Sequence, residues 1–180
     1  MSARPGAGSP RPYRFPRVVE QTAAGGLRVV VAPMPQRPLV SVALLLDGGA
    51  SGEGAGDAGT AAMLARLLPE GGERHDADGL VEAAELLGAS IGAEAGWERI
   101  SIGASLPAAR LGGVLDLIAE IALAPRIPER EVERGKALRL AAIEQAKASP
   151  RARASEALIA AIYDSGSAYS RPLEIGRAHV

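Results

Sequence analysis

The sequence predicts an α+β fold with two layers, in which a mostly antiparallel sheet has helices packed on one face. Strand patterns dominate the chain up to residue 46, and helical patterns dominate from residue 57 onward. One hairpin pattern, at residues 89–106, separates the second helix from the third. This order favours an α+β domain over a doubly wound sheet, in which strands and helices alternate. A chain of 180 residues is long enough to bury one core.

The first part of the chain predicts three strands. Residues 17–23 alternate loosely between polar and apolar side chains. Gly25-Gly26 predicts a turn into an apolar, β-branched segment at 27–32. Residues 39–46 are almost continuously apolar, so we expect a strand that is buried on both faces.

Two helices and a hairpin are predicted next. The spacing of apolar residues indicates a helix at 57–68 with Asp57 as its N-cap. Asp76 is the predicted N-cap of a second helix at 77–87. Two alternating segments then flank Gly96-Trp97, which predicts an antiparallel hairpin.

Three more helices are predicted in the last third of the chain. The third helix runs from Pro107 to about Leu123. The fourth begins at Pro128, with glutamates in its first turns and basic residues after them, an order that complements the helix dipole and indicates a solvated face. Pro150 predicts a break before a last helix at 152–163.

Composition excludes several classes of function. The formal net charge of −1 argues against nucleic-acid binding, which usually requires a basic surface. The absence of Cys excludes disulfides and thiol catalysis, and the presence of only 2 His, at positions 75 and 179, restricts imidazole chemistry. The longest apolar stretch, at 39–46, is too short to cross a bilayer.

Seven short motifs follow one another along most of the chain. In order they are Gly-Leu-Arg-Val-Val-Val at 26–31, Asp-Gly-Gly-Ala-Ser at 47–51, Gly-x-Ala at 59–61, Leu-Leu-Pro-Glu-Gly-Gly at 67–72, Leu-Gly-Ala-Ser at 87–90, Ala-Pro at 124–125 and Tyr-Ser-Arg-Pro at 169–172. Their order and spacing resemble the N-terminal half-domain of the M16 (insulinase-like, pitrilysin) zinc metallopeptidases. The resemblance implies the α+β half-domain fold of M16 and LuxS-like metalloenzymes.

Active members of that family carry His-x-x-Glu-His on the first helix, where the two His bind Zn²⁺ and the Glu activates a metal-bound water. When the Gly-x-Ala motif is aligned, the two His positions are Ala62 and Arg66, and the Glu position is Ala65. The third metal ligand of the family falls at Ala142. Alanine offers no donor atom, and a guanidinium does not coordinate Zn²⁺. The resemblance therefore implies no metal and no catalytic residue in this chain, with zinc expected only in a partner subunit.

The resemblance also implies a function. We expect a non-catalytic M16 peptidase-like subunit, present here as a fragment, that pairs with an active zinc-bearing M16 subunit. Together they would form a chamber that binds a peptide substrate for proteolysis, without nucleic acid and without a membrane span. The alternative is a structural or assembly scaffold, related to respiratory-complex core subunits and without a peptidase partner.

A candidate binding strand follows the Leu-Gly-Ala-Ser motif. In active members this is an edge strand to which substrate adds as a further strand, and an Asn-Ala pair helps to hold the peptide. Gly92-Ala93 takes the place of that pair here, so backbone pairing is retained without the side-chain contribution. The candidate peptide-binding edge therefore comprises Gly92, Ala93, Glu94 and Ala95.

Three other features have plainer interpretations. His75 is expected in a solvated turn before the second helix, since no other imidazole lies near it in sequence. Trp97 is expected to cover a local edge of the core, with a contact to a partner as the alternative. The glycine-rich loop at 47–56 lacks the Gly-Lys-Ser/Thr ending of a phosphate-binding loop.

The resemblance divides the chain into three parts. Residues 1–16 are expected to be a disordered leader rich in Pro and Arg, and residues 17–173 an M16-like N-terminal domain that is truncated at its C-terminus. Residues 174–180 resemble a translated sequencing adapter and are expected to be non-native. No signal-peptide pattern is visible, which favours a cytoplasmic location.

Overall fold

The computed structural model describes residue 8, residue 12, residues 14–54 and residues 56–171. Most of the expected leader and all of the expected tail at 174–180 lie outside the described residues. The chain divides into two compact units, residues 1–38 and residues 39–180.

The first unit contains an antiparallel two-stranded ribbon. Strand β1 (Val19–Thr22) pairs with strand β2 (Arg28–Val31), which confirms the two strands predicted there. Gly25 and Gly26 in the turn between them have positive φ angles of 83° and 86°. Glycine adopts such angles without the steric cost that a Cβ would impose, so the turn depends on these two residues.

The second unit is a three-stranded antiparallel sheet with helices on one face, as predicted. The strand order is β3–β5–β4, formed by β3 (Leu39–Asp47), β4 (Ser90–Ala95) and β5 (Arg99–Pro107). The helices are α1 (Thr60–Leu67), α2 (Ala77–Leu86), α3 (Leu111–Leu123), α4 (Glu129–Ala148) and α5 (Pro150–Ile162). The hairpin of β4 and β5 follows the predicted pairing, with Ala95 opposite Ile100.

The core lies between the central strand and helices α1, α2 and α3. Side chains of β5 alternate between the two faces of the sheet, and Ile102 and Leu106 are almost fully buried on the inner face. Val114 and Ile121 of α3 are buried in the same cluster. This packing of one helix face on one sheet face fixes the positions of β4 and α1, which matter for the site.

β3 is not buried on both faces, contrary to the sequence prediction. Its alternate residues Val40, Val42, Leu44 and Leu46 pack against the core, whereas the residues between them are exposed. Leu39 is 65% exposed and Leu45 is 52% exposed. Because the exposed face also carries apolar side chains, the sequence lacks the alternation of polar and apolar residues that marks a half-buried strand.

Helix α1 begins three residues later than predicted, and Asp57 is not its N-cap. The cap is Gly59, with a φ of 97°, and the main-chain oxygen of Asp57 accepts the N–H of Thr60. The capping carboxylate is that of Glu53, which accepts the N–H groups of Gly59 and Ala61 at 2.7 and 2.6 Å. A negative charge at a helix N-terminus is stabilised by the helix dipole.

The later helices follow the prediction more closely. α3 begins at Leu111 and not at Pro107, because β5 extends to Pro107 and a short 3₁₀ turn follows it. The predicted break is at Ser149, whose Oγ accepts the N–H of Ala152 and so caps α5. Among the described residues, no helix is both long enough and apolar enough to span a membrane.

Candidate peptide-binding edge and the positions of the metal motif

β4 is an edge strand of its sheet, since within the described part of the chain it pairs only with β5. The Gly96 N–H donates to the Arg99 oxygen at 2.7 Å, which makes Gly96 and Arg99 a hydrogen-bonded pair. In an antiparallel ladder, hydrogen-bonded and non-hydrogen-bonded pairs alternate. Every second residue back from Gly96 therefore belongs to a hydrogen-bonded pair, so the main-chain groups of Glu94 and Gly92 point toward β5.

The residues between them direct their main-chain N–H and C=O groups away from β5. These residues are Ile91, Ala93 and Ala95, and their side chains are partly buried against the core. Among the four predicted binding residues, Ala93 and Ala95 thus offer backbone groups to a further strand, whereas Gly92 and Glu94 hold β4 in the sheet. Their role in peptide binding stays a prediction.

α1 packs against β4 and carries three of the four positions of the degenerate metal motif. Ala62 is half-buried, Ala65 is 2% exposed, and Arg66 is exposed. Ala142 is exposed on α4. α4 approaches α1 at Gly135, where a Cβ would lie 3.0 Å from a side-chain atom of α1.

These four side chains do not fit a metal ion. Three alanines supply no ligand atom, and the cationic guanidinium of Arg66 would repel a divalent cation. Among the described residues, no group of three or more His, Cys, Asp and Glu side chains is placed to hold a metal. No step through zinc is therefore assigned to this chain, and zinc in a partner subunit stays a prediction.

The glycine-rich loop after β3 is held against the turn between β4 and β5. The Ala50 N–H donates to the Gly96 oxygen at 3.1 Å, and the Ser51 N–H donates to the Trp97 oxygen at 2.7 Å. Gly49 lies so close to the Trp97 carbonyl that a Cβ would clash with it. Because Ala50 and Ser51 already donate their N–H groups within the protein, this part of the loop is not arranged as a phosphate cradle.

Trp97 lies in a cluster of three aromatic side chains at the hairpin tip. Its ring centroid is 5.0 Å from that of Tyr169, which in turn is 5.8 Å from that of Tyr163. The Tyr169 hydroxyl donates to the Glu98 carboxylate, and this hydrogen bond raises the pKa of Tyr169. Trp97 therefore packs against Tyr169 within this chain, outside the hydrophobic core cluster, and its contact with a partner stays a prediction.

The segment that contains Tyr169 is fixed at a second point. The Arg171 guanidinium donates to the main-chain oxygens of Glu53 and Gly54, both at 2.9 Å. Glu53 also caps α1 with its carboxylate. Tyr169 and Arg171 thus tie the loop before α1 to the hairpin tip, a role that the sequence motif alone does not reveal.

A buried carboxylate, that of Glu120 on α3, was missed by the sequence analysis. Its side chain is 2% exposed. Its Oε1 accepts the N–H groups of Arg74 and His75 at 2.7 and 2.9 Å, and its Oε2 lies 2.9 Å from Arg74 Nε and 3.0 Å from His75 Nδ1. The expectation of a solvated turn at His75 is therefore wrong, because its ring contacts a buried acid. Asp76 caps α2 as predicted and accepts the Gly79 N–H.

The pKa of Glu120 results from two opposed effects. Burial, the largest single effect, raises it. The hydrogen bonds from the His75 ring and from the N–H groups of Arg74 and His75 outweigh burial and lower the pKa from 4.5 to about 2. A carboxylate with so many donors is a poor proton acceptor, so Glu120 joins the turn before α2 to α3 and does not act as a base. The sequence does contain a signal for the buried position of this residue, because Glu120 is the one acid on the otherwise apolar inner face of α3.

Comparisons with known proteins agree with this fold. The model of the insulinase family (peptidase family M16) matches residues 28–174. No curated protein matches the chain. Among solved structures, the chain is similar to a peptidase M16 inactive domain from Pseudomonas fluorescens, with 25% identity and a TM-score of 0.80 over 87% of this chain and 38% of that chain.

Two further structures share the fold. A protease from Helicobacter pylori is 22% identical, with a TM-score of 0.77 over 90% of this chain and 39% of that chain. Pitrilysin is 19% identical, with a TM-score of 0.72 over 88% of this chain and 17% of that chain. The chain therefore spans well under half the length of each of these structures. The family match over most of the sequence, together with the common fold, shows that the chain belongs to the M16 (insulinase) peptidase family.

Proposed function

We propose that this chain is part of a non-catalytic M16 subunit that contributes a peptide-binding edge strand to a chamber shared with an active, zinc-bearing M16 partner. The observation that carries the proposal is the open edge of β4 beside a helix whose motif positions are Ala62, Ala65 and Arg66. The similarity to an M16 inactive domain from Pseudomonas fluorescens supports it.

The edge binds peptide through its main chain. An extended peptide laid along β4 receives hydrogen bonds from, and donates them to, Ile91, Ala93 and Ala95. Ala93 and Ala95 have small side chains that leave this edge accessible to another backbone. Because main-chain pairing does not depend on the peptide's side chains, the edge accepts many sequences. Hydrolysis is left to the partner, since the motif positions of α1 offer neither a metal ligand nor a base.

Removal of one main-chain N–H group that points away from β5 tests whether peptide binds at the β4 edge. The probe is a fluorescein-labelled peptide, Lys-Thr-Ser-Thr-Leu-Thr-Ser-Thr-Lys, and the readout is fluorescence anisotropy. Ala93→Pro deletes an N–H that β5 does not use, so we expect binding to weaken about threefold to tenfold. Ala43→Pro is the matched control. The alternation of hydrogen-bonded pairs between β3 and β5 directs the Ala43 N–H away from β5, so this substitution removes an N–H at the opposite edge of the sheet.

The outcomes separate clearly. Binding that weakens in Ala93→Pro and persists in Ala43→Pro, with unchanged circular dichroism, supports the proposal. Equal affinity in Ala93→Pro and the unsubstituted chain contradicts binding at this edge. No binding of the peptide by the unsubstituted chain contradicts the proposal as a whole and favours the scaffold alternative.

Pairing with an active subunit has its own test. The partner is expected to be an M16 chain with an intact His-x-x-Glu-His motif, encoded by a neighbouring gene. Co-expression of the two chains should give a complex with higher peptidase activity than the active chain alone. Separate elution of the two chains, with unchanged activity, would contradict the pairing.

A further inference from the structure

Arg66 is a cationic side chain on α1 that has no partner in the described part of the chain. Its side chain is exposed, and among the described residues it forms no hydrogen bond and no ion pair. The nearest acid along the chain, Glu70, is bound instead by Arg134 at 2.9 Å. The guanidinium of Arg66, which carries only donors, is therefore open to an anion from outside.

α1 runs antiparallel to β4, which sets Arg66 level with the first half of that strand. The loop that leads into α1 bonds to the turn that follows the end of β4. Pro69, just after the end of α1, borders a small pocket together with Ser90 and Ile91, the first residues of β4. Because Arg66 lies in the last turn of α1, it is level with Ile91 and Ala93.

Arg66 also lies on the flank of α1 that faces the open edge of β4. Ala61 and Ala65 face the core, and Met63 lies where α1 meets α4. Ala62 and Arg66 each follow a core-facing residue by one position, which is a rotation of about 100° around the helix axis. β3 and β4 are parallel to each other, and a connection through helices between parallel strands is right-handed in nearly all proteins. With that hand, the rotation turns Arg66 toward the outer side of β4.

A peptide that pairs with β4 directs one side chain toward Arg66. Ala93 bonds to an added strand directly, because its N–H and C=O groups point away from β5. Residues directly opposite each other in a ladder have their side chains on the same face of the sheet. The Ala93 side chain packs on the helix-covered face. The peptide residue opposite Ala93 therefore extends its side chain toward the flank of α1 that carries Arg66.

We propose that Arg66 binds a carboxylate of the peptide that pairs with β4. The inference rests on the proposed function, because it assigns a charge preference to the same edge. A guanidinium donates two parallel hydrogen bonds to a carboxylate, a geometry that the arginine side chain matches closely. The carboxylate belongs to Asp or Glu opposite Ala93, or to the C-terminus of a peptide that ends there.

Two pairs of labelled peptides test the preference on the full 180-residue chain. The first pair is the peptide described above with Glu or Gln at its centre, amidated at the C-terminus, so the two differ in charge and hardly in shape. The second pair is Lys-Thr-Ser-Thr-Leu with a free C-terminal carboxylate or a C-terminal amide. We expect the carboxylate member of at least one pair to bind about fivefold more tightly. The preference should fall in about 1 M NaCl, because salt screens exposed charges.

Two arginine substitutions locate the effect. Arg66→Gln removes the charge and keeps a polar side chain, so it should abolish the preference while the Gln and amide peptides bind as before. Arg153→Gln is the matched control, because Arg153 is exposed on α5 and its removal changes the net charge equally. It should keep the preference of the unsubstituted chain.

The results distinguish the carboxylate site from the edge. A preference that disappears in Arg66→Gln and persists in Arg153→Gln supports the proposal, and the pair that shows it identifies the source of the carboxylate. Equal binding within both pairs, with all four peptides weakened by Ala93→Pro, would overturn the carboxylate site and leave the edge intact. A preference that survives Arg66→Gln would also overturn the carboxylate site. No binding of any of the peptides would overturn the proposed function itself.

Discussion

Glu120→Gln is expected to destabilise the protein strongly, because it changes a buried carboxylate that accepts several hydrogen bonds. Glutamine keeps the shape of the side chain, and its Oε1 can still accept the N–H groups of Arg74 and His75. Its NH₂ group, however, replaces Oε2, which lies 2.9 Å from Arg74 Nε. A guanidinium can only donate, so two donors would face each other beside a side chain that is 2% exposed. A buried mismatch of this kind destabilises a fold.

The magnitude follows from the pKa of Glu120. This pKa is lowered from 4.5 to about 2 in the folded protein, and each pKa unit corresponds to about 1.4 kcal/mol. The ionised form therefore contributes about 3 kcal/mol to the free energy of unfolding. Because the folded pKa lies below the unfolded one, the contribution is complete above pH 4.5. It is lost as the pH falls toward 2.

Urea unfolding followed by far-UV circular dichroism measures this effect at pH 7 and at pH 3. Glu120→Gln should lower the free energy of unfolding by about 3 kcal/mol at pH 7 and remove most of the decrease seen on acidification. Glu133→Gln is the control, because Glu133 forms an exposed pair with Lys136, and it should change stability by less than about 0.5 kcal/mol. Equal midpoints for the two variants at pH 7 would refute the reasoning.

Three further predictions concern the loop and the hairpin tip. Gly49→Ala should destabilise the protein by more than about 2 kcal/mol in urea unfolding, because its Cβ would clash with the hairpin turn, whereas Gly52→Ala meets open space and should change little. Tyr169→Phe should remove the tyrosine with the raised pKa from an ultraviolet absorbance titration, since its hydroxyl bonds to Glu98. Glu53→Ala should cost about 1 kcal/mol through loss of the α1 cap, measured by thermal unfolding.

The element order could be predicted because glycine and proline mark most of the boundaries. Gly96 follows the last residue of β4, and Pro150 is the first residue of α5. Features that depend on distant parts of the chain could not be predicted. Glu120 bonds to residues 45 and 46 positions away, and Glu53 replaces the nearer Asp57 at the start of α1. Local propensity contains no information about such partners.

The candidate site was likewise predictable from the sequence only in part. The edge position of β4 followed from the resemblance, and the structure has β4 at the edge of its sheet. Which residues direct their backbone groups outward depends on the phase of the ladder, which a single hydrogen bond at Gly96 fixes. A small pocket beside Ile91 is lined by residues of α2, β4 and α3, and the sequence offers no periodic signal for it.

The central claim is that this chain has lost the metal centre of its family. Isothermal titration of the metal-free chain with zinc, followed by a peptidase assay, tests it most directly. The comparator is the variant Ala62→His, Ala65→Glu, Arg66→His and Ala142→Glu, which is expected to bind zinc because it supplies three ligands. The account predicts no saturable one-to-one binding and no hydrolysis by the unsubstituted chain. Tight one-to-one zinc binding by that chain, accompanied by peptide hydrolysis, would contradict it.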